Sequence, residues 1–192
     1  MNLEPLYADT LLATQQIAVE LFPWECEHQE ALSASLAPHA HADFYNSRGL
    51  DSVRCWTAMR QGSVEGMAML YGYKAQIDEV WLAWFGLRAS ARGCGAGAML
   101  LDGIISNARE EGRRVMRLWT TDESEYAAAV RMYQRRGFKP EMTTPLQGET
   151  WSTMVFSLGL DGQIPAAWSS VRNRGELCGR EAPEVHAHAF AA

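Results

Sequence analysis

The chain lacks any apolar run near the eighteen or so residues a membrane-spanning helix needs, and its first residues show no basic segment followed by an apolar one. A membrane protein and a secretory leader are therefore not expected, and a cytoplasmic protein is. Positive charge is scarce: 17 Lys and Arg against 23 Asp and Glu leave a net charge of −6. Nucleic-acid binding leaves a basic footprint that this composition does not have, so an anionic ligand would have to be held locally. Cysteine is limited to Cys26, Cys55, Cys94 and Cys178, widely spaced and without a CxxC pair, which reads as reduced thiols and not as a disulfide framework or zinc site. Internal repeats and low-complexity tracts are absent.

What is present is ordinary for a globular protein: 47% apolar and 21% charged residues over 192 positions, enough for one core. We expect a single domain over residues 1–160, with 161–192 as an extension or tail. Apolar residues recur at helical spacing from Tyr7 to Phe22, and Pro23 stops the run. A second helical stretch ends at Pro38, and one or two further turns end at Gly49. The run SVRCWTAM, the turn signal Gln61-Gly62-Ser63 and VEGMAMLYGY read as a hairpin. DEVWLAWFGL is a third strand, apolar on both faces toward its end and so covered on both sides. Leu100, Leu101, Ile104, Ile105 and Ala108 share the face of a helix closed by Gly112. RVMRLWT is the next strand, Asp122 with Glu125 resembles a capping box for a helix ending at Gly137, and strands near Phe138 and in WSTMVFSLGL complete a mixed, largely antiparallel α/β sheet. Residues after Ser169 show no clear period.

The stretch ARGCGAGAMLL, residues 91–101, follows the third strand and opens the long helix. A strand, a glycine turn and a helix N-terminus converge unpaired amides and the positive end of the helix dipole on one point, which suits phosphate. Two readings stand beside that one. The glycines alone permit a tight turn, and Gly93, Gly95 and Ala98 fit a GxGxxA dinucleotide fingerprint. The fingerprint, however, belongs directly after the first strand of a βαβ unit, and here three antiparallel-looking strands come first.

Taken whole, FGLRASARGCGAGAMLL, with Arg92, Gly95 and Gly97, resembles the acetyl-CoA loop of the GNAT superfamily of N-acetyltransferases. Downstream, AVRMYQRRGF, with Ala129, Tyr133, Gly137 and Phe138, resembles that family's second signature. The resemblance spans roughly residues 53–158, with Ala89 where a proline is frequent and Tyr126 where an asparagine is often found. It implies a central mixed, largely antiparallel sheet with helices on both faces and a splayed central strand pair. It also implies that Arg92, Gly93, Cys94, Gly95, Ala96 and Gly97 hold the pyrophosphate of acetyl-CoA. The main chain of Phe85, Gly86 and Leu87 would pair with the pantetheine arm, and Ala129 and Tyr133 complete the cofactor set. Leu87 is the candidate oxyanion donor and Tyr133 the candidate acid for the departing thiolate. Glu79, on one strand face with Trp81, Ala83 and Phe85 by alternation, is the candidate base; the family's own glutamate position falls at Trp81.

For the acceptor, Trp24, Glu25 and Glu27 and then Phe44 and Tyr45 offer aromatic and acidic groups that suit a cationic amine, and Trp81 and Trp84 are further candidates to line the acyl or acceptor site. His39-Ala40-His41 and His186-Ala187-His188 have the HxH form of a metal pair but no third ligand at recognisable spacing, and we expect no metal. Cys94 has no histidine near in sequence to make it a nucleophile. The resulting expectation is an acetyl-CoA-dependent N-acetyltransferase acting on a primary amine of a small molecule. The alternatives are a protein or peptide N-terminal or lysine acetyltransferase, and a non-catalytic CoA-binding or interaction domain. The oligomeric state stays open, a homodimer exchanging the segment after Gly159 included.

Overall fold

A computed structural model of the chain describes residues 1–146 and 148–171, together with the backbone of 176–177 and 180–181. The chain divides into two compact units, Met1–Arg114 and Val115–Ala192. The fold is mixed α/β, and every strand pairing within a unit is antiparallel.

The first unit runs β1 (Asn2–Pro5), α1 (Leu11–Leu21), α2 (Glu27–Leu36), a 3-10 turn at Pro38–His41, α3 (Ala42–Ser47), β2 (Leu50–Arg60), β3 (Ser63–Tyr73), β4 (Gln76–Leu87), a 3-10 turn at Ala89–Ala91 and α4 (Ala96–Glu110). β1, which four residues with no alternation to read could not announce, pairs with β2 from Asn2 opposite Met59 to Pro5 opposite Trp56. Its presence shortens the expected first helix. Residues 7–10 form a turn, with the Thr10 amide donating to the Tyr7 carbonyl at 3.1 Å, and α1 starts only at Leu11. The β2–β3 hairpin closes through Gln61 and Gly62 at φ 52° and 81°, the left-handed pair that matches the twist of two antiparallel strands.

Register fixes which helix covers which face. Leu3, Ala58, Gly66 and Leu87 lie across from one another on one face, and a Cβ on Gly103 of α4 would meet the Leu3 side chain. Gly86 opposite Met67 lies on the other face, where a Cβ would meet Leu21 and Phe22 at the end of α1. Helices α4 and α1 therefore cover opposite faces, as the apolar character of β4 requires: Val80, Trp81 and Leu82 are all buried. α4 buries the expected face, Leu100 to Ala108, and ends in a Schellman closure in which Gly112 (φ 76°) donates to Arg109 and Arg113 to Ala108 at 3.0 Å.

The second unit contains β5 (Val115–Thr121), a 3-10 turn at Ser124–Tyr126, α5 (Ala127–Arg135), β6 (Lys139–Met142) and β7 (Thr153–Gly159), with β7 between β5 and β6. The capping box expected at Asp122 and Glu125 does not form. The 3-10 turn moves the start of α5 to Ala127, with no side-chain cap, and the Asp122 carboxylate accepts from the Ser152 amide at 2.8 Å. α5 ends as expected at Gly137 (φ 86°), again in a Schellman closure, with Gly137 donating to Gln134 and Phe138 to Tyr133.

Beyond β7 the chain is held down by two polar anchors. The buried Arg117 guanidinium donates to the Ser157 hydroxyl and to the Ala166 carbonyl at 3.0 Å, and the Glu141 carboxylate accepts from the amides of Trp168 and Ser169. A 3-10 turn at Trp168–Ser170 buries Trp168, and β8 (Glu176–Leu177) pairs with β9 (Arg180–Glu181). Cys178 and the His186–His188 pair lie outside the described residues.

Candidate active site

β4 delivers its last residues to the glycine loop with their backbone groups sorted. The Arg88 amide donates to the Glu65 carbonyl at 2.8 Å, which makes 65 and 88 a hydrogen-bonded pair. Gly66 and Leu87 are then the adjoining non-bonded pair, and the amide and carbonyl of Leu87 point away from β3. Arg92 confirms the direction by donating its Nε–H to the Leu87 carbonyl at 2.8 Å. Its guanidinium thus braces the strand end against the loop.

Gly93 and Gly95 have φ of 81° and 83°, and neither would meet any atom with an added Cβ. Glycine is needed there for the left-handed backbone, and not for clearance. Gly95 is the N-cap of α4, and no side chain caps that end. The first amide bonded back within the turn is that of Met99, to the Gly95 carbonyl at 3.0 Å, so those of Ala96, Gly97 and Ala98 have no acceptor inside the helix. Beside them lies a hollow of about 250 Å³ lined by Met1, Arg60, Cys94, Gly95, Ala96 and Met99. Arg60 was not legible as a loop neighbour because it ends β2, thirty-odd positions upstream. Cys94 is exposed, its thiol toward the Ala91 carbonyl at 3.5 Å.

The other feature of β4 is a bulge. Gly86 and Leu87 pair with Met67 and Gly66, whereas Ala83 pairs with Met69, so Trp84 and Phe85 together stand opposite Ala68. Trp84 takes φ 38°, a backbone state that costs a bulky residue roughly 1–3 kcal/mol and persists only where its surroundings enforce it. The bulge corrects the expected alternation: Gly86, not Phe85, returns to the face of Trp81 and Ala83. Glu79 lies on that face by simple alternation, half-buried at the start of the strand, and Trp81 is 1% exposed.

Trp84 is held from three sides. Its indole N–H donates to the Glu25 carboxylate on the turn between α1 and α2, and its ring meets His28 and Tyr71 edge-on at centroid distances of 5.9 and 5.7 Å. Of the proposed acceptor residues, Glu25 therefore joins Trp84. Trp24 is 67% exposed, Glu27 pairs with Arg48 at 3.1 Å, and Phe44 and Tyr45 are buried, the Tyr45 hydroxyl donating to the Ala34 carbonyl. These last two belong to the core, because a six-residue helix can rest on β2 only by its aromatic side. His28 and Tyr71 were not anticipated. His39 and His41 lie in a 3-10 turn, not on a strand, so their alternation does not aim them together; among the described residues no three His, Cys, Asp or Glu cluster as metal ligands.

In the second unit Tyr133 is buried on α5, its ring against Phe138 and Phe156 at 5.9 and 5.6 Å. Burial pushes its hydroxyl well above the ordinary tyrosine value, so the phenol stays protonated. Ala129, one turn earlier, is half-buried.

These features can be set against known proteins. The aminoglycoside 6'-N-acetyltransferase of Enterococcus faecium superposes with a TM-score of 0.66 at 12% identity, covering 86% of this chain and 100% of its own. The ribosomal-protein-S18-alanine N-acetyltransferase of Escherichia coli gives 0.61 at 16%, covering 86% and 97%. An acetyltransferase of the GNAT family from Staphylococcus aureus Mu50 gives 0.61 at 15%, covering 83% and 99%. At these identities the likeness is one of fold. No curated protein matches the sequence. The model of the acetyltransferase (GNAT) family, in contrast, matches residues 15–138. That span runs from α1 through the glycine loop to the end of α5 and takes in well over half of the chain, which is therefore a member of the acetyltransferase (GNAT) family.

Proposed function

We propose that the chain transfers the acetyl group of acetyl-CoA to a primary amine of a small molecule by direct attack, in the cytoplasm. The observation that carries this reading is the uncapped start of α4 behind two left-handed glycines, directly downstream of a strand end whose Leu87 amide is turned away from β3. In this reading the amides of Gly93 to Gly97 hold the pyrophosphate, while Arg92, whose amide donates to the Ala89 carbonyl at 3.2 Å and whose side chain donates to the Leu87 carbonyl, shapes the loop, and the main chain of Phe85, Gly86 and Leu87 pairs with the pantetheine arm as an added strand. Ala129 and Tyr133 belong to the same cofactor set. The acceptor's ammonium first loses a proton through Glu79 or water, the free amine nitrogen attacks the thioester carbonyl, and Leu87 donates to the oxyanion that forms. The C–S bond then breaks, Tyr133 gives its proton to the departing thiolate, and the amine's proton leaves through Glu79 or water and restores the phenol. No metal takes part.

A small-molecule acceptor is the reading we take over a peptide because Trp84, directly before the proposed cofactor strand, is packed among Glu25, His28 and Tyr71, aromatic and acidic groups that suit a compact cationic amine. The test is calorimetry with acetyl-CoA, CoA and NAD, followed by a thiol-release assay over an amine panel that includes peptides. Binding of acetyl-CoA that is lost in Gly95→Val/Gly97→Val, with turnover of small amines, is the expected result. NAD binding, or no CoA binding, overturns the reading; binding with no turnover of any amine leaves a CoA-binding domain.

A further inference from the structure

The cluster around Trp84 bears on which amine is taken, and the inference rests on the acetyl-transfer reading. Trp84 directly precedes Phe85, the first residue of the proposed cofactor strand. Its left-handed backbone sits in a bulge that turns the indole toward α2 and the α1–α2 turn. A bulky residue in that state is kept there by what holds its side chain, and here the holders are a carboxylate and two rings.

The ring of His28 is fixed as well. Its Nε2 lies 3.3 Å from the Phe22 carbonyl, and its Nδ1 lies 2.8 Å from the Gln29 amide nitrogen, which also donates to the Gln15 carbonyl. A carbonyl can only accept, so the Nε2 carries the proton and Nδ1 receives one from Gln29. Both ring nitrogens are engaged, so the imidazole serves as a wall beside Trp84. Of the four side chains Glu25, His28, Tyr71 and Trp84, Glu25 is the carboxylate, and the indole N–H occupies only part of its accepting capacity.

A half-buried carboxylate on the edge of an indole that is itself packed by two further rings matches an ammonium group carried on an apolar body, which it meets through a charge-assisted hydrogen bond and a ring face. It is a poor match for an acceptor with a carboxylate beside the amine. We propose that Glu25 and Trp84 are specificity-determining residues of the acceptor site. Together they select a primary amine that arrives as an ammonium on an apolar or aromatic body and reject the corresponding amino acid.

The test uses the full chain and three probes of one shape: phenethylamine, phenylalanine and phenethyl alcohol. Their binding is measured by calorimetry on the chain alone and with CoA, and acetyl transfer by steady-state kinetics. Phenethylamine is expected to bind at least about tenfold more tightly than either of the others, a margin of one good charge-assisted contact. Glu25→Gln should raise KM for phenethylamine about tenfold and erase the preference over phenylalanine, while kcat and acetyl-CoA affinity stay within about twofold; Glu25→Asp should restore the preference. Trp84→Phe, which keeps a ring but loses the N–H, should raise KM by a smaller factor and remove the fluorescence change that phenethylamine produces. An unchanged preference in Glu25→Gln overturns the proposal, as does a wild type that binds none of the three. Loss of thermal stability and acetyl-CoA affinity together in Glu25→Gln, without a change in preference, makes the contact structural and also overturns it. Failure of acetyl-CoA to bind the wild type would overturn the transfer reading alone, since the amine preference is measured on the unliganded chain as well.

Discussion

In the proposed reaction Tyr133 is asked to serve packing and chemistry at once. Its ring is a core contact with Phe138 and Phe156, so Tyr133→Phe keeps the packing and deletes only the hydroxyl. We expect kcat to fall about 10²-fold in that variant, the usual loss of a positioned general acid, with acetyl-CoA affinity unchanged by calorimetry. The same hydroxyl predicts a pH effect on stability. Its folded-state value is raised by burial, so its contribution is fully present below the unfolded value of about 10 and is lost as pH rises, because the unfolded chain ionises first. The buried Cys55 thiol, also raised, starts the same decline about a pH unit earlier. Denaturant midpoints should therefore fall above about pH 9, less steeply in Cys55→Ala, and above pH 10 less steeply in Tyr133→Phe. Gly95→Ala isolates the loop backbone: the site has room for a Cβ but not the dihedral. A left-handed penalty of roughly 1–2 kcal/mol predicts about a tenfold rise in the acetyl-CoA dissociation constant with the circular dichroism spectrum intact.

β4 shows what can be read at the scale of an element and what cannot. Its burial on both faces was legible in VWL, since a run of large apolar residues leaves no solvent side. The bulge was not, because an extra residue in one strand is defined only by its partner, and Ala68 carries no mark of it. One sign lies in β3: a Cβ on Gly66 would come within 2.4 Å of the Gly86 carbonyl oxygen, so the two strands approach there more closely than any side chain allows. Gly66→Ala should separate β3 from the end of β4, lowering Tm and weakening acetyl-CoA binding in proportion; an unchanged affinity would show that the strand end is not part of the cofactor site. The helices followed their patterns more faithfully. α4 and α5 both stop at a glycine that supplies a left-handed closure, and those two residues were visible in advance. The start of α5 was not, since Asp122 finds the Ser152 amide, a partner thirty residues away that competes with the local cap.

Across the whole molecule, a net charge of −6 sets the proposed site against its surroundings: the anionic cofactor we propose would have to be held by oriented amides, and not by the protein's overall field. Binding of this kind stabilises the folded chain by mass action. Acetyl-CoA at a hundred times its dissociation constant should contribute about 2.7 kcal/mol, a rise of roughly 5–10 °C in Tm by differential scanning fluorimetry for a chain of this length. The sequence by itself determined the family, the loop and the secondary structure of most elements, because glycine spacing and hydrophobic period are local properties of the chain. It also determined Tyr133 as a candidate. Tertiary structure alone decided that Leu87 turns its amide away from β3, that Phe44 and Tyr45 are core, and that Glu25 meets Trp84 across 59 positions of sequence. Each of these depends on strand register or on packing between distant segments, and neither leaves a period in the sequence to be read.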